Sequence, residues 1–285
     1  MKPSKNNFFE TSDGARIYFE DQGAGTPIIL VPGFLCTTKF FQRNVPVLSQ
    51  RHRVITMDPR GQGYSSKTLQ GNRIKRHAQD IRELIDYLQL KDAILLGWSV
   101  AASVVTTYAA EYQEYGLAGL VLVDGSLYPF SGEAWNRHRG RDYNLDNWFA
   151  TYLPLAWNPQ EFFDKFLARI SNHGEMPSED RRWITAECKK TMPWTALELH
   201  YDFCHTNNLP NLEHLTIPVA IFGGDSEAYG LAMAEEYTRR IPGYSEIHKF
   251  TESGHLMFYY ESEKFNRCLE GFVKKALQLQ AERGK

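Results

Sequence analysis

The sequence predicts an α/β chain built on a mostly parallel, doubly wound sheet. Three observations lead there. Short runs such as "PIILV", "AILLG", "LAGLVLV" and "PVAIF" are apolar throughout, as strands covered on both faces must be. Helical stretches alternate with these runs and supply the βα rhythm of such a sheet. The 285 residues, 42% hydrophobic and 23% charged, have the length and composition to bury it.

In chain order, "ARIYFEDQG" (15–23) reads as an alternating strand and "PIILVPG" (27–33) as a buried one. "HRVITMDPRGQGYSS" (52–66) is a strand ended by a Pro- and Gly-rich turn. In "IKRHAQDIRELIDYLQL" (74–90), Ile74, His77, Ala78, Ile81, Leu84, Ile85 and Leu88 recur at helical spacing and form one apolar face. "DAILLGWS" (92–99) is a strand, and the small-residue stretch "SVAASVVTTYAAEY" (99–112) is the helix after it. "LAGLVLVDGS" (117–126) and "IPVAIFGGDS" (217–226) are further strands. The helix "LAMAEEYTRRI" (231–241), the strand "YSEIHKF" (244–250) and the helix "SEKFNRCLEGFVKKALQLQ" (262–280) close the pattern.

Residues 127–214 carry no strand signal. They hold five of the six tryptophans and fifteen of the thirty-eight aromatic residues. A disordered linker would be poor in aromatics, so this segment is expected to be a helical cap. The core is then 1–126 with 215–285.

Composition excludes several classes of function. A net charge of −2 argues against dominant binding to nucleic acid or anionic membrane, which usually needs a basic face. No run approaches the roughly 18 apolar residues of a membrane helix. "MKPSKNNFFETSDG" has no apolar signal-peptide core, which points to a cytoplasmic chain. Cys36, Cys188, Cys204 and Cys268 lack CxxC spacing and read as reduced thiols, not as a metal site. Nothing in the sequence reports oligomeric state.

The chemistry centres on "ILLGWSVAA" (94–102). A serine hydroxyl is a weak nucleophile and must be lifted toward substrate and deprotonated as it attacks. A sharp strand-to-helix turn at Ser99 does the lifting, with small residues needed two places on either side. Gly97 and Ala101 occupy those places. The same turn presents the N–H of Val100 at a helix N-terminus. Trp98 is expected to wall the pocket beside Ser99.

Among nine histidines, His255 in "SGHLMF" stands in a small-residue loop after the last strand, at the sheet edge where Ser99 lies. His200, His205 and His214 read as solvated or packed within the cap. The third group, which orients the imidazole, has two sources. Asp124 ends "LVLVD", and Asp225 with Glu227 follows "AIFGG".

The ordered series "LVPGF", "MDPRGQGYS", "GWSVA", "LVLVDGS", "PVAIFGGDS" and "SGHLMF" with "EKFN" beyond resembles the α/β-hydrolase fold superfamily over nearly the whole chain. The resemblance implies a Ser–acid–His order, and either acid satisfies it. Counted from Gly223 or Gly224, the usual acid slot holds Ser226 or Glu227, and Asp225 fits only with a shifted register. With Tyr229 beyond, "GGDSEAYG" resembles the subset that places the acid after the preceding strand, which favours Asp124. The resemblance also implies an oxyanion hole formed by the N–H groups of Phe34 and Val100, with Pro32 where the family commonly has a histidine. Asp58, Arg60 and Gly61 are expected only to shape their loop. Cofactor-free dioxygenases of this fold carry a histidine where this chain has Cys36, which argues against that chemistry. Ser99 in place of an elbow aspartate likewise argues against the dehalogenases and epoxide hydrolases.

The expected activity is cleavage of a small carboxylic ester or lactone, apolar or aromatic in character, through acyl-Ser99, with no cofactor or metal. The alternatives are perhydrolysis of the haloperoxidase kind, C–C bond hydrolysis, cofactor-free oxygenation, or a ligand receptor with a slow triad.

Overall fold

Eight strands form one sheet in the order β1-β2-β4-β3-β5-β6-β7-β8. The strands are β1 (Phe8–Glu10), β2 (Arg16–Gln22), β3 (Pro27–Val31), β4 (Arg53–Met57), β5 (Ala93–Trp98), β6 (Leu117–Val123), β7 (Val219–Gly224) and β8 (Ser245–Phe250). The computed structural model describes residues 7–136, 144–171, 176–224 and 230–283. β1 and β2 pair antiparallel, as do β2 and β4, and every later pairing is parallel. The seven strands expected from the sequence are all present. β1 is additional, and three residues are too few to show a period.

Every residue of β5, β6 and β7 is buried, which explains their uninterrupted apolar character. Helices cover both faces. On the core they are α1 (Val45–Leu48), α2 (Ile74–Tyr87) and α3 (Val100–Glu111). In α2, Ile74, His77, Ala78, Ile81, Leu84 and Ile85 are buried on one face, as their spacing requires. Helix α3 differs, being buried from Val100 through Ala109. It is packed against α2 and strands β5 and β6, so it is buried all round rather than along one face.

Between β6 and β7 the chain inserts α4 (Leu145–Tyr152), α5 (Pro154–Trp157), α6 (Pro159–Ile170), α7 (Ser178–Cys188), α8 (Pro193–His205) and α9 (Leu209–Leu212). Prolines open α5, α6 and α8, where a missing N–H costs no hydrogen bond. The tryptophans of this stretch divide. Trp148 is buried, Trp135 and Trp183 are half-buried, and Trp157 and Trp194 are exposed. The chain closes with α10 (Leu231–Arg240), α11 (Met257–Tyr260) and α12 (Ser262–Arg283). Among the described residues no helix is long and apolar enough to cross a membrane.

The strand order positions the site. From β3 the chain moves to β4 on one side and then returns to β5 on the other. The carboxyl ends of β3 and β5 therefore flank a crevice at the point where the order reverses, the usual ligand position in open α/β sheets.

Candidate active site

The loop after β3 and the turn after β5 meet at this crevice. Ser99 joins β5 to α3 with φ 60° and ψ −123°. A non-glycine residue held there costs of order 1–3 kcal/mol, so the surroundings must enforce it. The Ser99 N–H donates to the Val123 carbonyl at 2.9 Å. A Cβ on Gly97 would lie 2.3 Å from the Ala101 carbonyl oxygen, and one on Gly125 2.2 Å from that of Ser99. A Cβ on Gly33 would lie 2.7 Å from the Ser99 Cβ. The spacing around Ser99 identifies Gly97. Gly33 and Gly125 approach from other strands, and no local pattern reveals them.

His255 follows β8 in a short 3-10 turn, Gly254–Leu256. Its Nδ1 lies 2.6 Å from Oδ2 of Asp124, and both side chains are buried. With Nδ1–H donating to the carboxylate, the neutral imidazole carries its lone pair on Nε2. Asp124 Oδ1 accepts the Gly224 N–H at 3.3 Å, and the Asp124 N–H donates to the Phe222 carbonyl at 2.9 Å. Asp225 and Glu227 lie outside the described residues.

Trp98 is buried against this pair. Its Nε1–H donates to the His255 carbonyl at 3.1 Å, and its ring centroid lies 5.0 Å from that of the imidazole. Phe258 packs edge-on at 4.7 Å. Trp98 thus lines the site and also holds the backbone of His255.

Ser99, His255, Trp98, Phe34 and Val100 line one cavity, together with Tyr152, Phe166, Arg169, Ile170 and His200 from the inserted helices. Its volume is about 20 Å³, of the order of one water molecule. Among the described residues neither the Phe34 N–H nor the Val100 N–H has a protein acceptor. The Phe34 carbonyl accepts the Cys36 thiol at 3.1 Å, and the Cys36 N–H closes the turn onto the Gly33 carbonyl at 3.1 Å. Burial pushes the Cys36 thiol well up, with Cys188 beside it, so this cysteine serves the turn as a neutral thiol.

The five residues from the insertion escape sequence reasoning because they come from three helices. The one local signal is the four-residue spacing of Phe162, Phe166 and Ile170 along α6. His200 packs among the inserted helices as expected and also reaches the cavity. Its ring stacks on Tyr152 at 3.7 Å, and its Nδ1 accepts the Trp148 indole N–H at 3.0 Å. His205 and His214 are exposed.

The loop after β4 is structural. Asp58 accepts the N–H groups of Thr38 and Tyr64, both at 2.7 Å, and burial pushes its carboxyl up to about 6. Arg60 is buried between Asp80 and Asp13. A larger cleft of about 760 Å³, lined in part by Tyr18, Glu20, Asp58 and Glu187, includes none of Ser99, Asp124 or His255.

A family model for the alpha/beta hydrolase fold matches residues 26–185, more than half of the chain. The chain belongs to the alpha/beta hydrolase fold family. A candidate non-heme chloroperoxidase of Synechocystis sp. is 38% identical, the match covering 93% of this chain and 97% of that protein. A non-heme haloperoxidase of Rhodococcus erythropolis is 26% identical over 94% and 99% of the two chains. Among solved structures, an esterase from Exiguobacterium antarcticum superposes with a TM-score of 0.87 at 24% identity, covering 94% of this chain and 99% of that one. The chain is an enzyme of this hydrolase family, in its esterase- and haloperoxidase-like part.

Proposed function

We propose that the protein is a serine hydrolase of small carboxylic esters or lactones, with Ser99, His255 and Asp124 as its catalytic triad. The observation that carries this reading is the buried His255–Asp124 pair, whose imidazole lines one cavity with Ser99. Ser99 Oγ attacks the carbonyl carbon, and its proton passes to Nε2 of His255. Asp124 stabilises the resulting imidazolium. The N–H groups of Phe34 and Val100 receive the oxyanion. The tetrahedral intermediate collapses to acyl-Ser99, and His255 returns its proton to the departing alkoxide. In a lactone that alkoxide remains attached to the acyl chain. Water then attacks acyl-Ser99, giving its proton to His255, and the acid leaves as Ser99 is reprotonated.

In this reading residues 127–214 are a cap, and Phe34, Trp98, Tyr152 and Phe166 favour an apolar or aromatic substrate. The four free cysteines support a cytoplasmic chain. A fluorophosphonate probe should label Ser99, and Ser99→Ala should abolish both labelling and turnover in a screen of esters and lactones. Turnover that survives Ser99→Ala would sink the proposal.

The 38% identity to a chloroperoxidase-named relative favours a second reading on the same intermediate. Hydrogen peroxide in place of water would release a peroxy acid from acyl-Ser99. Peroxy-acid yield as peroxide is titrated against a fixed ester measures that share.

A further inference from the structure

Apart from Ser99, His200 and His255, the lining of the Ser99 cavity is aromatic and aliphatic with one cation, Arg169. Arg169, on the last turn of α6, lines it beside Phe166 and Ile170. Its Nη1 donates to the Tyr152 hydroxyl at 3.0 Å, and Tyr152 is itself buried, so the guanidinium is held at the cavity by a neutral partner. Among the described residues no carboxylate forms an ion pair with Arg169. The other cation of the same helix, Lys165, is paired with Glu161. A guanidinium presents its donors in a planar fork that fits a carboxylate two-pronged, and one N–H to a phenol leaves most of that fork for a ligand.

We infer that Arg169 binds a carboxylate carried by the substrate, which makes the preferred substrate an ester whose acyl chain ends in an acid group. Phe34, Phe166 and Ile170 then line the apolar segment between the scissile carbonyl and that carboxylate, while Tyr152 holds the guanidinium in register. This rests on the serine-hydrolase reading and adds the substrate's charge to it.

The test compares methyl hemiesters of succinic, glutaric and adipic acid with the neutral methyl esters of butanoic, pentanoic and hexanoic acid, followed by proton release. The quantity read is the ratio of kcat/KM for each anionic ester to that of its neutral partner, which cancels any effect common to both. The wild-type enzyme should prefer at least one hemiester, and Arg169→Gln should lower that ratio by about 10- to 100-fold, the range of a lost charge-assisted hydrogen bond. Arg169→Lys, which keeps the charge and loses the fork, should fall between them. A calorimetric titration with adipate reads the same site without turnover, and Arg169→Gln should weaken it at least about tenfold. Robust hydrolysis with an unchanged ratio, or equal adipate binding by wild type and Arg169→Gln, overturns the inference. Turnover that persists in Ser99→Ala, or an absence of turnover with every ester, refutes the serine-hydrolase reading instead, and the adipate titration still decides Arg169.

Discussion

Nδ1 of His255 lies 2.6 Å from Oδ2 of Asp124, so a carboxylate at the end of β6 meets the imidazole. The pair is buried and short, as a charge-assisted hydrogen bond should be. Asp124→Asn would replace the acceptor by an amide and disturb the imidazole tautomer. The expected outcome is a fall in kcat of about 10⁴-fold with ester substrates. Asp225→Asn should cost less than about tenfold by the same assay. Near-wild-type turnover in Asp124→Asn would show that another group orients His255.

The elbow predicts where a single methyl group is not tolerated. A Cβ on Gly125 would sit 2.2 Å from the Ser99 carbonyl oxygen and 2.5 Å from the Ala102 Cβ, both in fixed backbone or packed helix. Gly125→Ala should lower unfolding free energy by more than about 2 kcal/mol in urea titrations, because neither neighbour can swing away. Gly132, where an added Cβ meets nothing within 4 Å, is the control and should change stability by less than about 0.5 kcal/mol.

The fold was legible because burial on both faces writes itself into a strand as an apolar run, as in "AILLG" and "LAGLVLV". The places of Ser99 and Asp124 follow from the same pattern, since each directly follows such a run, whereas His255 follows β8, which is polar and half-buried, and only its small-residue loop marked it. Gly33 and Gly125 were not read as parts of the elbow, because the contacts that require them are made across strands. Tyr152, Phe166, Arg169 and His200 were missed because helices write only their own inward face, and which neighbour that face meets is settled by packing. Trp98 stood between these cases. Its place beside Ser99 could be read, whereas its hydrogen bond to His255, 157 residues away, could not.

That hydrogen bond predicts a role for the indole beyond bulk. Trp98→Phe keeps an aromatic ring against Phe258 and the imidazole but removes the donor to the His255 carbonyl. Stability should fall by about 1 kcal/mol for the hydrogen bond lost. Because the 3-10 turn that carries His255 loses this tether, kcat should fall roughly tenfold with KM little changed. A loss of stability with full kcat would reduce Trp98 to a packing residue.

The last prediction concerns acid stability and uses two buried groups outside the active site. His77 on α2 is held down to about 3, chiefly by burial and then by Arg60 and Arg76, and its Nε2 has no hydrogen-bond partner. As pH falls below 6.5, the unfolded chain protonates this ring while the folded chain resists, so His77 removes stability on acidification. Asp58 acts with the opposite sign. Burial raises its carboxyl from 3.8 to about 6, so the folded chain holds the extra proton in that window and gains stability as pH falls. Between about pH 4 and 6 the two slopes nearly cancel. His77→Phe removes one of them and keeps a ring of similar size. Whatever its stability at pH 7.5, the variant should gain about 2 kcal/mol relative to the wild type between pH 6 and 4.5. Urea titrations at several pH values measure this directly. A wild-type-to-variant difference that stays constant with pH would mean that His77 is not held neutral by its burial.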